Sequence, residues 1–168
     1  MTKPTRTRSE IGKANLAKSK ATERAVAAYY RVSGWPGAER TVRTGYAVAG
    51  RRSGDRGDID GTPGMVTQVK VVATATSAQV ESWLADTEAQ RLAAGADVGI
   101  LIIKRPGHAH PAHWWAYVWL DTLVRLVGGT LRRPGAYPVR FELADLLWLL
   151  REVGYGTPLA AESGEEAS

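Results

Sequence analysis

Asp58, Asp60, Gln68 and Lys70 crowd into one short stretch, Arg-Gly-Asp-Ile-Asp-Gly-Thr-Pro-Gly-Met-Val-Thr-Gln-Val-Lys-Val-Val at residues 56–72. An acid, an amide carbonyl and an amine on one patch suit phosphodiester hydrolysis. Oxygen ligands hold Mg²⁺, the ion polarises the phosphate and supplies hydroxide, and the ammonium offsets charge that grows in the transition state. The same residues on a merely solvated hairpin would do no chemistry, and Asp-x(9)-Gln-x-Lys is a loose pattern. The elements that carry these side chains therefore decide between the two.

Gly and Pro at 61–64 punctuate a turn, and β-branched residues dominate the run that follows. The pattern predicts a strand ending near Ile59, a turn over 60–64 and a second strand from Met65 to Val72. Alternation places Gln68 and Lys70 on one face and Thr67, Val69 and Val71 on the other. Hairpin pairing then brings Asp58 or Asp60 beside Gln68 and Lys70. Upstream, a helix is expected from Ser19 to about Ser33, stopped by Gly34 and Pro36. Its apolar stripe is Val26, Ala27, Tyr29 and Tyr30, and Glu23 falls on that core-facing side. Glu23 there is either a first-turn acid facing the helix dipole or a metal ligand or water-orienting base.

With 168 residues and no cysteine, the chain suits one domain without disulfides or thiolate metal sites, and a cytoplasmic enzyme is the simplest class. No apolar run reaches membrane-spanning length, and the basic N-terminus lacks the apolar segment of a signal peptide. The net charge of +5 is divided unevenly: 13 Lys/Arg against 4 Asp/Glu in residues 1–56, and 9 against 13 thereafter. A basic half beside a hairpin carrying acids suggests a nucleic acid brought to a metal site.

Residues 1–18 read as a flexible basic arm, 19–154 as the folded domain and 155–168 as a disordered acidic tail. A short strand is expected over 38–43. The Gly- and Arg-rich segment 45–56 reads as a flexible loop in which Arg51, Arg52, Ser53 and Arg56 clamp a backbone phosphate. Ser77 reads as the N-cap of a helix to about Ala94, ended by Gly95. Val98–Ile103 reads as a strand buried on both sides, followed by a strand over 113–120, a short helix or turn over 121–127, a strand over 139–143 and an apolar helix over 143–153. That order predicts a single α/β domain with a mixed central sheet.

Taken in order, these pieces resemble the PD-(D/E)XK, restriction-endonuclease-like nuclease superfamily and, more narrowly, the archaeal-type Holliday junction resolvases. Lys20-Ala21-Thr22-Glu23-Arg24 is similar to their first-helix signature, Gly57-Asp58-Ile59 to their Pro-Asp-Ile, and Gln68-Val69-Lys70 to their Glu-x-Lys. The Gln79-Val80-Glu81 opening of the next helix and the apolar strand at 98–103 also resemble that family, over roughly residues 17 to 120. The resemblance implies a restriction-endonuclease-like sheet flanked by helices, metal ligation by Glu23, Asp58 and Gln68 with help from the Val69 carbonyl, and Lys70 as catalytic lysine. It implies Mg²⁺ as cofactor, with Mn²⁺ able to substitute, and no small-molecule cofactor. Branched double-stranded DNA is the implied partner, with Lys18, Lys20, Arg24, Arg51, Arg52, Ser53 and Arg56 on its phosphates and Gln79 near the site. Two departures stand out: Gly57 replaces the proline, and Gln68 replaces an acid, which removes a negative charge that Asp60 could restore.

The histidines at 108, 110 and 113 fit no zinc motif. The tryptophans at 83, 114, 115, 119 and 148 read as core or interface, and the apolar Leu146–Leu150 run argues for a homodimer, as symmetric cutting of a four-way junction would need. The expectation is a homodimeric, Mg²⁺-dependent junction endonuclease, cytoplasmic (in the host cytoplasm if phage-encoded) and without membrane contact. Its rivals are another nuclease of the same fold acting on ends, flaps or specific sequences, and a DNA-binding module of that fold that has lost catalysis.

Overall fold

The computed structural model describes residues 7–42, 57–131 and 137–159. Helix α1 (Arg8–Val32) starts well before the expected Ser19. Thr7 accepts from the Glu10 backbone N–H while the Glu10 carboxylate accepts from Thr7 N, a reciprocal capping box that makes residues 8–18 helix rather than arm. This extension is exposed on every side.

Strand β2 (Ile59–Asp60) pairs antiparallel with β1 (Glu39–Arg40) on one side and with β3 (Met65–Lys70) on the other. Helix α2 (Ser77–Ala94) then returns the chain so that β4 (Val98–Ile103) lies parallel to β3. A 3₁₀ turn (Pro111–His113), β5 (Trp115–Trp119), helix α3 (Leu120–Leu126), β6 (Pro138–Glu142) and helix α4 (Leu143–Glu152) complete the order. Among the described residues the result is a mixed six-stranded sheet in sequence order β1 to β6 with four helices.

Alternation divides the sheet into two faces. Val98, Ile100 and Ile102 join Tyr30 of α1 and Leu143, Leu146, Leu147 and Leu150 of α4 in the larger core. Leu101 and Ile103 meet Val80 and Leu84 of α2 on the opposite face. Every residue of β4 is buried, as a strand covered on both faces should be. The α2 boundaries agree with the sequence pattern, but its cap is Thr76 rather than Ser77, because Thr76 and Gln79 form a second reciprocal box. Gly95 ends the helix in the left-handed conformation.

Three other expectations change. The strand expected from His113 opens as the 3₁₀ turn, with pairing only from Trp115. Four of the five α4 leucines, Leu143, Leu146, Leu147 and Leu150, are fully buried in this chain's own core, leaving Trp148 as the large apolar side chain that α4 exposes. Residues 155–159 are not a loose tail: Tyr155 donates to the Asp97 carboxylate, and the Thr157 backbone N–H donates to the Gly34 carbonyl at 2.7 Å. The proposed tail beyond them and the Arg51, Arg52, Ser53 and Arg56 loop lie outside the described residues.

Candidate active site

The β2–β3 hairpin decides which acid reaches β3. Ile59 pairs with Thr67, so Asp60 falls nearer the turn and Asp58 toward Gln68. The Asp58 backbone N–H donates to the Thr67 carbonyl at 2.7 Å, and Asp58 Oδ2 accepts from the Val69 backbone N–H at 2.7 Å. A charge-assisted bond of that length fixes the carboxylate beside the peptide joining Gln68 and Lys70. Asp60 instead sits opposite Glu39 of β1.

Gly57 sets up this approach. Its φ of +87° is one proline cannot adopt, and an added Cβ would stand 2.5 Å from the Thr67 carbonyl oxygen. Gly57 is thus a conformational requirement for delivering Asp58, a larger role than its sequence position suggested.

Gln68 and Lys70 point toward α2. Thr87 Oγ1 lies 3.4 Å from Gln68 Oε1, and the Lys70 ammonium stands 5.8 Å from the centre of the Trp83 ring. A hydroxyl has one proton, and Thr87 already gives it to the Trp83 carbonyl at 2.8 Å. Gln68 is buried, with 9% of the residue exposed, and among the described residues its carbonyl oxygen holds that long, secondary contact alone. Turning the amide over lets Nε2 donate to Thr87 and swings Oε1 away from α2.

Glu23 approaches from the other face. Its carboxylate is 16% exposed and pairs at 3.3 Å with Arg40, a residue that the sequence pattern did not single out. Arg40 is the register partner of Ile59, which places this ion pair one residue from Asp58 along β2. Asp58 and β3 are therefore brought together directly, while Glu23 and Gln68 hold their partners, Arg40 and Thr87, on opposite faces of the sheet.

The Asp58 carboxylate and the buried amide oxygen of Gln68 have the hard-oxygen chemistry that Mg²⁺ takes. Loading an ion on these two asks Gln68 to give up little, since a 3.4 Å contact contributes well under about 1 kcal/mol. Glu23, held by Arg40 on the opposite face, does not join them. Among the described residues, no three His, Asp or Glu side chains form a ready metal cluster.

Lys20 and Arg24, four residues apart, share a face of α1, and Lys13 and Arg31 fall on the same stripe at 100° per residue. That spacing was legible in the sequence and links residues not grouped above. Lys18 turns to the other side. Gln79 closes the α2 capping box, a role at the helix start rather than in the site. The histidines serve local structure: His110 accepts from the Ala112 backbone N–H, and His113 bonds Glu142 at 2.8 Å. That bond, then the charges of His113 and Arg105, hold the Glu142 carboxyl below its usual range. Burial pushes the Tyr30 hydroxyl up, so it stays neutral in its bond to Thr67 at 3.1 Å. Compared with protein-family models, with curated proteins and with solved structures, the chain finds no match.

Proposed function

We propose that this protein is a metal-dependent endonuclease that hydrolyses the DNA backbone, with four-way junctions as its substrate and two copies acting on a two-fold symmetric junction. One observation carries the reading: the Gly57-Asp58 turn fixes the aspartate on the Val69 amide, between Gln68 and Lys70. A purely structural hairpin has no need of a carboxylate there, because the Val69 N–H could find an ordinary carbonyl partner. The mixed sheet, with the hairpin before the helical return to a parallel strand, accords with a restriction-endonuclease-like domain.

In this reading Asp58 and Gln68, with the Val69 carbonyl, would hold the divalent ion, while Glu23, paired with Arg40 on the other face of the sheet, would stand outside that ligand set. When bound, the ion polarises the scissile phosphate and lowers the pKa of a water. Lys70 balances negative charge on the phosphate oxygens, and the Lys13, Lys20, Arg24 and Arg31 stripe holds duplex phosphates without reading bases. Asp58→Asn and Lys70→Ala are expected to abolish Mg²⁺-dependent cutting of a labelled four-arm junction while gel-shift binding persists. Parental cutting by either variant would remove that residue from the site.

The Glu23–Arg40 pair and the partnered Gln68 favour one second reading, a DNA-binding domain of the same kind without catalysis. Junction binding with no cutting in Mg²⁺ or Mn²⁺ would select it.

A further inference from the structure

A groove of about 210 Å³ opens beyond Lys70, at the carboxyl ends of the parallel strands β3 and β4. Its walls are residues 72–75 after β3, Ile103 at the end of β4 with Lys104 and Pro106 beyond it, and Trp115, Tyr117 and Arg140 on β5 and β6. In open α/β sheets this is where ligands settle, because the connections diverge and leave a crevice.

The strand register carries the α2 face across to it. Gln68, Leu101, Tyr117 and Arg140 form one row across the sheet, and Lys70, Ile103, Trp115 and Glu142 form the next. Trp115, Tyr117 and Trp119 stand at alternate positions of β5, half-buried on this same face.

Two arginines bracket Trp115. The Arg105 guanidinium carbon lies 4.0 Å from the ring centre and that of Arg140 lies 4.4 Å from it. Both cations therefore lie within cation–π reach of the one ring. Arg105 is neutralised by Glu142 at 3.0 Å. Arg140 is exposed and, among the described residues, makes no ion pair, so it is a cation whose direction is fixed by stacking but whose charge has no counterpart.

We infer that this groove binds an unpaired nucleic-acid strand, with Arg140 on a backbone phosphate and Tyr117 or the outer guanidinium face against a base. A duplex is too wide for a crevice of this volume, whereas one nucleotide at a time fits it. Cations interleaved with aromatic side chains are how sheets hold single strands without reading sequence. The β5 aromatics repeat about every 7 Å, roughly twice the rise of stacked bases, which matches a strand drawn out of its duplex. The inference rests on the nucleic-acid reading above but not on catalysis. It gives that reading a path for a strand leaving the branch point.

The test is fluorescence anisotropy in EDTA, with the full chain and a labelled oligothymidylate of about twelve residues, within the usual range of site sizes. Arg140→Ala is expected to weaken binding by about fivefold or more, to lower the salt slope by about one, and to leave four-arm junction binding within about twofold. Arg140→Lys, which keeps charge but not the planar stack, is expected between the two. Arg125→Ala, the same charge change on α3, is expected to do nothing. A melting curve for each variant separates lost contact from lost fold, and Arg140→Lys serves as the test if Arg140→Ala melts early. Affinity should also rise with oligomer length. Unchanged affinity on replacing Arg140, an equal loss in Arg125→Ala, or affinity independent of length would overturn the groove assignment. Failure of the parent to bind any DNA, junction included, would instead overturn the nuclease reading itself.

Discussion

At the scale of single residues, Gln68 sets the electrostatics of the candidate site. An amide oxygen offers Mg²⁺ a lone pair but no charge, so the site relies on Asp58 for its negative charge. Gln68→Glu is expected to tighten Mg²⁺ binding at least about tenfold, since one more charge interaction near the ion is worth roughly 1–4 kcal/mol. The same carboxylate, buried beside Thr87 without an ion, is expected to lower the melting temperature of the metal-free protein and to have that loss restored by Mg²⁺. Calorimetric titration and thermal melts read both. Unchanged Mg²⁺ affinity would take Gln68 out of the ligand set. The sequence made Gln68 a candidate by its spacing from Lys70, but Thr87 and Arg40, which restrain Gln68 and Glu23, carried no signal. Both act through contacts between residues far apart in the chain.

At the scale of elements, the hairpin matters most, and its geometry hangs on a glycine. Gly57→Ala forces a side chain into positive φ against the Thr67 carbonyl, a strain of about 1–3 kcal/mol. The chain is expected to relieve it by moving Asp58 off the Val69 amide, so junction cutting falls much further than junction binding. A variant that cuts normally with an unchanged melting temperature would show that the turn does not position the aspartate. Local patterns served well where local forces dominate. Helix α2 was legible from its capping residues and Gly95, and β4 from an unbroken apolar run. The start of α1 lies at the Thr7 and Glu10 capping box, a local sequence signal set within a strongly charged stretch whose composition by itself points to a flexible arm.

At the scale of the molecule, charge and shape act together. The helical extension of α1 turns what read as a loose arm into a rigid basic edge, with Lys13, Lys20, Arg24 and Arg31 on one side. Arg31 also donates to the Ala38 carbonyl at 2.8 Å, tying that edge to the body. Replacing Lys13, Lys20 and Arg24 together by alanine is expected to flatten the dependence of log affinity for duplex DNA on log salt by about 3, near one counterion per lost phosphate contact. Titrations across salt concentrations check this, and an unchanged slope would place the duplex elsewhere.

By itself the sequence determined the class of domain, most element boundaries, the Asp58 hairpin and the basic character of the first third, because capping, alternation and charge are local properties of a chain. Only the tertiary structure decided that Asp58 rather than Asp60 meets β3, that Glu23 is held by Arg40 across the sheet from Gln68, that the α4 leucines are spent in the core, and that Arg105 and Arg140 bracket Trp115. Each of these depends on strand register or on which face an element covers, and register is settled by packing between distant segments.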